Sequence, residues 1–285
     1  MKDNEVSTDV RIIKLFEPFT HSSVMVVRIA CSDLALEGDM VLKVFDRRFA
    51  TQLRKDEKLR PWTSDYHQFV LDGGASQFIT ELDNNGEIAQ QGETWNSSQD
   101  EAYLHDHLSD LYETEVLVYD TLRDMQGNGI PQLLACVTIS GCSLAEMQPA
   151  SQYVDVSGIL LEYIEGFPLT DIADHTPKEC WQSICEEAIQ ILHRMGDHGI
   201  LNEDVKTRSF MVEKDRRAES GYKVVMIDFA LCNFRKDYAD DVDWSEAKAM
   251  QDEEGAVGLT MQDRLDGGFA YRRSNRYKKP AHYYE

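Results

Sequence analysis

The sequence has few cations for its length. Its 285 residues include 29 lysines and arginines against 51 aspartates and glutamates, a formal net charge of −22. Phosphate backbones and acidic lipid surfaces select clustered lysine and arginine, so this balance disfavours binding to nucleic acid or to an acidic membrane. It does not exclude a small anion, which a few local cations could hold.

Paired cysteines and long apolar runs are also missing. The six cysteines form no Cys-x-x-Cys pair, which disfavours a zinc knuckle, and six free thiols fit a reducing compartment. No apolar run approaches the length of a membrane span, and residues 1–10 lack the apolar core of a secretory signal. We therefore expect a soluble, cytoplasmic (intracellular) protein.

The first half of the chain reads as strands with one long helix. Short segments rich in β-branched residues predict strands over residues 10–16, 23–31, 39–46, 132–139 and 157–164. Apolar residues at helical spacing predict a helix from about Glu101 to Met125. Residues from about 50 to 100 carry many charges and few regular patterns, so we expect an insertion or a mobile loop there.

The second half begins with helical patterns. The run Thr176-Pro177-Lys178-Glu179 reads as a capping box, and an apolar stripe from Trp181 to Met195 follows it. Two short strands are expected at 209–214 and 222–228, and a last helix from about Trp244 to Gly255 or somewhat beyond. The elements together predict an α+β fold.

Two charged residues lie where the pattern expects apolar ones. Lys43 falls mid-strand on the same face as Val41 and Phe45, and Glu115 falls on the apolar stripe of the long helix. Pairing relieves much of the cost of burying a charge, so one hypothesis is that Lys43 and Glu115 face each other. The alternative is that each reaches solvent, and these two residues alone leave both interpretations open.

Polar residues also cluster late in the chain. Asp228 ends the apolar run 224–227, which is a good position for a metal ligand, and Asp204, Lys206 and Ser209 lie among apolar residues upstream. A lone aspartate in a loop is usually a turn former or a cap. Here a second acidic residue follows one hairpin later.

The order of strand lysine, helix glutamate, hinge-like segment, loop aspartate and strand-end aspartate resembles the protein-kinase-like superfamily. The local sequences around Asp204 and around Asp228-Phe229-Ala230 are similar to those of fungal kinase-like proteins. The resemblance implies a two-lobed kinase-like fold, with residues 1–165 as the N-terminal lobe and 166–285 as a short, mainly helical C-terminal lobe. It also implies nucleotide binding, with ATP and Mg²⁺ as cofactors.

The resemblance assigns a role to each matching residue. Lys43 would grip the α- and β-phosphates, and Glu115 would orient it. Glu162 and Ile164, in the segment that looks like the hinge, would offer backbone groups to adenine. The resemblance further implies that Asp204 accepts the proton of the acceptor hydroxyl, that Lys206 stabilises the transferring phosphoryl group, and that Asp228 and Ser209 hold magnesium.

The chain departs from the family pattern at several places. No glycine-rich loop lies between the first two strands, Ser209 stands at the usual asparagine, and Glu203 stands at the arginine of the His-Arg-Asp triplet. No Ala-Pro-Glu motif follows Asp228, and few residues separate it from the next helix. A small-molecule acceptor is therefore favoured over a protein.

Two functions remain open. The first is an ATP-binding phosphotransferase of weak or atypical activity. The alternative is a catalytically inactive pseudokinase that senses nucleotide or binds a protein partner as a scaffold. Nucleotide binding is favoured because the chain keeps all five matching residues, which are Lys43, Glu115, Asp204, Lys206 and Asp228. The missing glycine-rich loop and Ser209 favour weak or absent phosphoryl transfer.

Four further features have weaker functional interpretations. A packing role is favoured over a metal role for His193 and His198, and pairing with an acid is favoured for Arg208. Asp252 is the acid expected to anchor the catalytic loop from a helix beneath it. The basic residues in 271–279 are expected to dock on acidic surface of the same chain.

Overall fold

A computed structural model describes residues 6–85, 94–141 and 150–277. These residues form helices and antiparallel sheets, which confirms the expected α+β class. The chain divides into two compact units. The first comprises Met1–Glu113 and Leu133–Tyr163, and the second comprises Thr114–Gln132 and Ile164–Glu285.

The first unit is built on a five-stranded antiparallel sheet in the order β1-β2-β3-β5-β4. Its strands are β1 (Arg11–Phe16), β2 (Ser23–Cys31), β3 (Leu36–Val44), β4 (Leu133–Ile139) and β5 (Val156–Glu162). The five strand predictions are confirmed. Apolar side chains of β2, β3 and β5 form the core of the sheet, among them Val27, Leu42 and Leu160.

Glycine is required at one position of this sheet. Gly158 of β5 pairs with Val44 of β3 and with Val137 of β4. A Cβ at Gly158 would lie 2.8 Å from the carbonyl oxygen of Lys43, closer than real contacts allow. The bare backbone of Gly158 thus lets β5 pass close to the strand segment that carries Lys43.

Helices occupy much of the segment that was expected to be an insertion or a mobile loop, so the mobile-loop alternative is wrong for its described residues. The helices are α1 (Thr51–Asp56), α2 (Tyr66–Leu71) and α3 (Gly74–Asn84). Tyr66, Phe78 and Trp95 are buried in a second core, where the Phe78 and Trp95 rings lie 5.3 Å apart. Residues 86–93 lie outside the described part.

A buried ion network joins Arg47 and α1 to the next helix, α4 (Ser97–Thr121). Glu101, fully buried, contacts Arg47 at 3.2 Å and Arg54 at 2.7 Å. The side chain of Asn96 accepts hydrogen bonds from two N–H groups of the first turn, as an N-cap does. The helix therefore begins four residues before its expected start.

The second unit is organised around α6 (Trp181–Asp197), which follows a short helix α5 (Ile172–His175). The expected helix start at the capping box is wrong. The Thr176 hydroxyl donates to the carbonyl of Ile172 instead of capping a new helix, and the 3₁₀ turn Lys178–Cys180 precedes α6. The Thr176 side chain thus hydrogen-bonds to the end of α5 and does not cap the start of α6.

Short antiparallel strands lie before and after α6 in the sequence. They are β6 (Gly166–Pro168), β7 (Ile200–Asn202), β8 (Phe210–Lys214), β9 (Tyr222–Met226) and β10 (Cys232–Phe234). One sheet has the order β6-β8-β9, and β7 pairs with β10. The β8-β9 hairpin confirms the two strands predicted in this half.

Two helices replace the single last helix that was expected. They are α7 (Asp241–Gln251) and α8 (Glu253–Arg264), and Asp252 separates them with a φ of 50°. Among the described residues, no helix combines the length and apolar character that a membrane crossing requires. The described cysteines are free thiols, and Cys142 lies outside the described part.

Candidate functional site

Asn202 joins the two segments that carry Asp204 and Asp228. It ends β7 and is 1% exposed. Its Oδ1 accepts a hydrogen bond from the backbone N–H of Asp204 at 2.8 Å, and its Nδ2 donates to the backbone carbonyl of Asp228 at 3.1 Å. One buried side chain thus holds both aspartates in register within the second unit.

Asp228 has an unusual backbone. Its φ is +74°, a left-handed conformation that costs about 1–2 kcal/mol for most residues and less for aspartate. The preceding residue, Ile227, donates its N–H to the carbonyl of Ser209 at 2.8 Å, and the following residue, Phe229, is buried against Tyr119. These neighbours fix the segment while the Asp228 side chain stays exposed.

A buried ion pair lies beneath the Asn202 segment. The N–H of Asn202 donates to Oε1 of Glu253 at 2.8 Å, and Nζ of Lys248 contacts Oε2 of the same carboxylate. Lys248 also donates to the carbonyl of Ile200 at 3.1 Å. Burial raises the pKa of Glu253, while the ammonium of Lys248 acts in the opposite direction. The pair ties both ends of β7 to α7 and α8.

The expected anchor, Asp252, is therefore wrong by one residue. Asp252 accepts the N–H of Gly255 at the start of α8 and forms an ion pair with Arg273. Because the chain breaks its helix at Asp252, the side chain that faces β7 is that of Glu253. An acid of this cluster was expected as the anchor, and the break between α7 and α8 determines which one faces β7.

Lys206 and Asp204 contact each other. Nζ of Lys206 lies against Oδ1 of Asp204, and the two side chains are 45% and 35% exposed. Ser209, in contrast, is 6% exposed. The carboxylate and the ammonium are thus open to a ligand, whereas Ser209 is largely shielded.

The remaining predicted site residues lie elsewhere in the chain. Lys43 is on β3 in the first unit, 5% exposed, with Nζ 5.5 Å from the ring centroid of Phe45. Glu115 is on α4 and belongs to the second unit, so its pairing with Lys43 stays a prediction. Glu162 ends β5, and Ile164 begins a segment of the second unit.

The segment between β1 and β2 packs on the first unit. The ring of Phe19 lies 6.0 Å from that of Phe49, and the carbonyl of Phe19 accepts the hydroxyl of Thr51 at 3.2 Å. The segment that would be a glycine-rich loop in a kinase thus carries the aromatic side chain of Phe19, which packs against Phe49.

Residues 269–277 pack on α6 and α8. Glu254 accepts hydrogen bonds from the Ser274 N–H at 2.7 Å and from the Tyr271 hydroxyl at 3.1 Å. Arg273 pairs with Asp252, so the expected docking on acidic surface is confirmed for Arg273. Lys278 and Lys279 lie outside them.

His193 and His198 each lie beside a carboxylate, that of Glu254 and that of Asp124 respectively. His193 lies 2.9 Å from Glu254, and within the described segments no three histidine, cysteine or acidic side chains gather as metal ligands would. Arg208 is exposed and makes no ion pair with any described carboxylate, so its expected pairing is wrong.

Comparison with known proteins gives no family for this chain. A scan against models of protein families and a search of curated proteins both return no match.

Proposed function

We propose that the chain is a kinase-like phosphotransferase of weak or atypical activity, which binds ATP with Mg²⁺ and favours a small-molecule acceptor. The observation that carries the proposal is the double hydrogen bond of Asn202 to Asp204 and Asp228. In kinases a catalytic-loop aspartate and a metal-binding aspartate act on the same phosphoryl group. A buried tether between two accessible aspartates supports that arrangement.

Within this proposal the second unit supplies the transfer chemistry. Asp204 accepts the proton of the acceptor hydroxyl, and Lys206, now against Asp204, stabilises the negative charge of the transferring group. Magnesium, when bound, neutralises phosphate charge and accepts oxygen ligands. The exposed carboxylate of Asp228 fits that need, and the shielded hydroxyl of Ser209 fits it less well.

The fold proposed with this function is a two-lobed kinase-like fold with a short C-terminal lobe, and the placement of Lys43 and Glu115 in the chain supports it. Lys43 lies on the third strand, and Glu115 lies on the helix between the third and fourth strands. Kinases carry their phosphate-binding lysine on the third strand and its glutamate partner on a helix. The proposal gives Lys43 and Glu115 these roles and gives the backbone at Glu162 and Ile164 the contact with adenine.

A second candidate is an inactive pseudokinase that senses nucleotide or binds a partner. Two observations favour it. Ser209 is shielded from solvent, and the segment expected to be a glycine-rich loop carries the bulky ring of Phe19, which packs against Phe49. Both candidates bind nucleotide, and they differ in turnover.

The test is a phosphate-release and acceptor-screen assay on the native chain, Asp204→Asn and the control Asp263→Asn. Asp263 is an exposed aspartate of α8. We expect the control to match the native chain and Asp204→Asn to lose about 10²- to 10⁴-fold in rate. Equal turnover in all three removes Asp204 from catalysis, and nucleotide binding without turnover supports the pseudokinase.

A further inference from the structure

Strand β1 forms an open edge of the five-stranded sheet, and all six of its residues are exposed. Ile12, Ile13 and Leu15 are 55%, 43% and 47% exposed. An edge strand presents unpaired backbone N–H and C=O groups, and proteins usually protect such edges. No described segment pairs with the outer side of β1.

A bulge gives β1 two chemically different faces. The cross-strand pairs are Arg11 with Arg28, Ile12 with Val27, Lys14 with Val26 and Leu15 with Met25. Ile13 is thus the extra residue of the bulge. Because opposed residues share a face and faces alternate along β2, Arg11 and Lys14 lie on one face and Ile12 and Leu15 on the other.

The cationic face of β1 has no acidic partner within the described segments. On the neighbouring strands Arg28 is neutralised by Asp39 at 2.6 Å. Neither Arg11 nor Lys14 makes an ion pair with a described carboxylate, and Nζ of Lys14 lies over the ring of Phe16 at 4.7 Å. In a chain of net charge −22, Arg11 and Lys14 are thus two exposed cations that no described carboxylate neutralises.

We propose that β1 is the docking edge for an extended segment of a partner protein in which acidic and apolar residues alternate. The segment adds as a strand through main-chain hydrogen bonds. Its carboxylates lie beside Arg11 and Lys14, and its apolar side chains lie beside Ile12 and Leu15. A six-residue contact is small, so binding is weak, fast and reduced by salt. The proposal is independent of nucleotide chemistry.

The first test uses three labelled synthetic peptides of the length of β1, each flanked by prolines that prevent self-assembly. The native chain is titrated into each peptide, and fluorescence anisotropy measures binding. One alternates valine and glutamate, one alternates valine and lysine, and one has the first composition with its glutamates in a block. We expect the alternating acidic peptide to bind at least about tenfold more tightly than either other peptide. Equal binding, or none, overturns the proposal.

The second test reverses the charges of the edge. In Arg11→Glu/Lys14→Glu the peptide preference should switch to the alternating basic peptide, whereas Lys55→Glu/Arg216→Glu, at exposed cations elsewhere, should keep the native preference. N-methylation of the acidic peptide should abolish binding, because it removes main-chain donors. Light scattering of the native chain and of Arg11→Glu/Lys14→Glu completes the test. If the native chain is a dimer and the double variant is a monomer, a second copy of the chain occupies the edge, and the proposal is overturned.

Discussion

The backbone N–H of Asn202 donates to Oε1 of Glu253 at 2.8 Å, so a carboxylate of α8 sets the position of the residue that tethers Asp204 and Asp228. The contact is buried at both ends, because Asn202 and Glu253 are 1% and 4% exposed. The positions of Asp204 and Asp228 therefore depend on a buried carboxylate of α8 as well as on Asn202.

Removal of one member of the buried pair should be costly. We expect Glu253→Leu or Lys248→Met alone to lower the free energy of unfolding by about 3–5 kcal/mol, because each leaves a charge unpaired in the interior. The double variant should lose clearly less than the sum of the single losses. Urea unfolding of all four proteins measures this coupling, and strictly additive losses would contradict the pair.

Asn202 should be sensitive to the chemistry of its amide. Asn202→Ala leaves the Asp204 N–H and the Asp228 carbonyl without their partner, at a cost of about 1–3 kcal/mol. Asn202→Asp should cost more, since it sets a carboxylate against that carbonyl. Hydrogen exchange at the Asp204 amide, with the exposed Asn275→Ala as control, measures the loosening. Unchanged exchange in Asn202→Ala would show that the tether is not needed.

Asp106→Asn is expected to stabilise the chain at neutral pH. Burial, and then the carboxylates of Asp110, Asp83 and Glu113, raise the pKa of Asp106 to about 6. Because this lies above its unfolded value, the protonated side chain favours folding below about pH 4, and that contribution is lost as the pH rises through about 6.

For this half-exposed group we expect a gain of only about 1 kcal/mol for Asp106→Asn at about pH 7, after discounting for solvent screening, and no gain at about pH 4. Urea unfolding at both pH values measures it, with the exposed Glu219→Gln as control. A gain of the same size at both values would rule out the titration of Asp106 as its cause.

The strands could be predicted from sequence because each carries its own signal. β-Branched residues and turn residues delimit β2 and β5, and Lys43 is conspicuous because it interrupts such a run. The loop residues Asp204 and Asp228 are conspicuous for the same reason, since they stand among apolar neighbours.

Contacts between distant parts of the sequence could not be predicted in this way. The core of the supposed loop joins Tyr66, Phe78 and Trp95, which show no common period because they come from separate segments. Likewise, Asp252 and Glu253 are adjacent acids, and only the left-handed backbone of Asp252 determines which one faces β7. Asn202 stands at the histidine of the His-Arg-Asp triplet, but no role was predicted for it, because its importance lies in hydrogen bonds to backbone atoms.

The proposed function requires this chain to bind ATP with magnesium, with roles for Lys43 and Asp228. The most direct measurement is isothermal titration of Mg²⁺-ATP into the native chain, Lys43→Met, Asp228→Asn and the control Lys55→Met, in which an exposed lysine of α1 is replaced. We predict that the native chain and the control bind equally, and that each site variant binds at least about tenfold more weakly, a loss of about 1.4 kcal/mol or more. Absence of binding by the native chain, or unchanged affinity in Lys43→Met, would contradict the account.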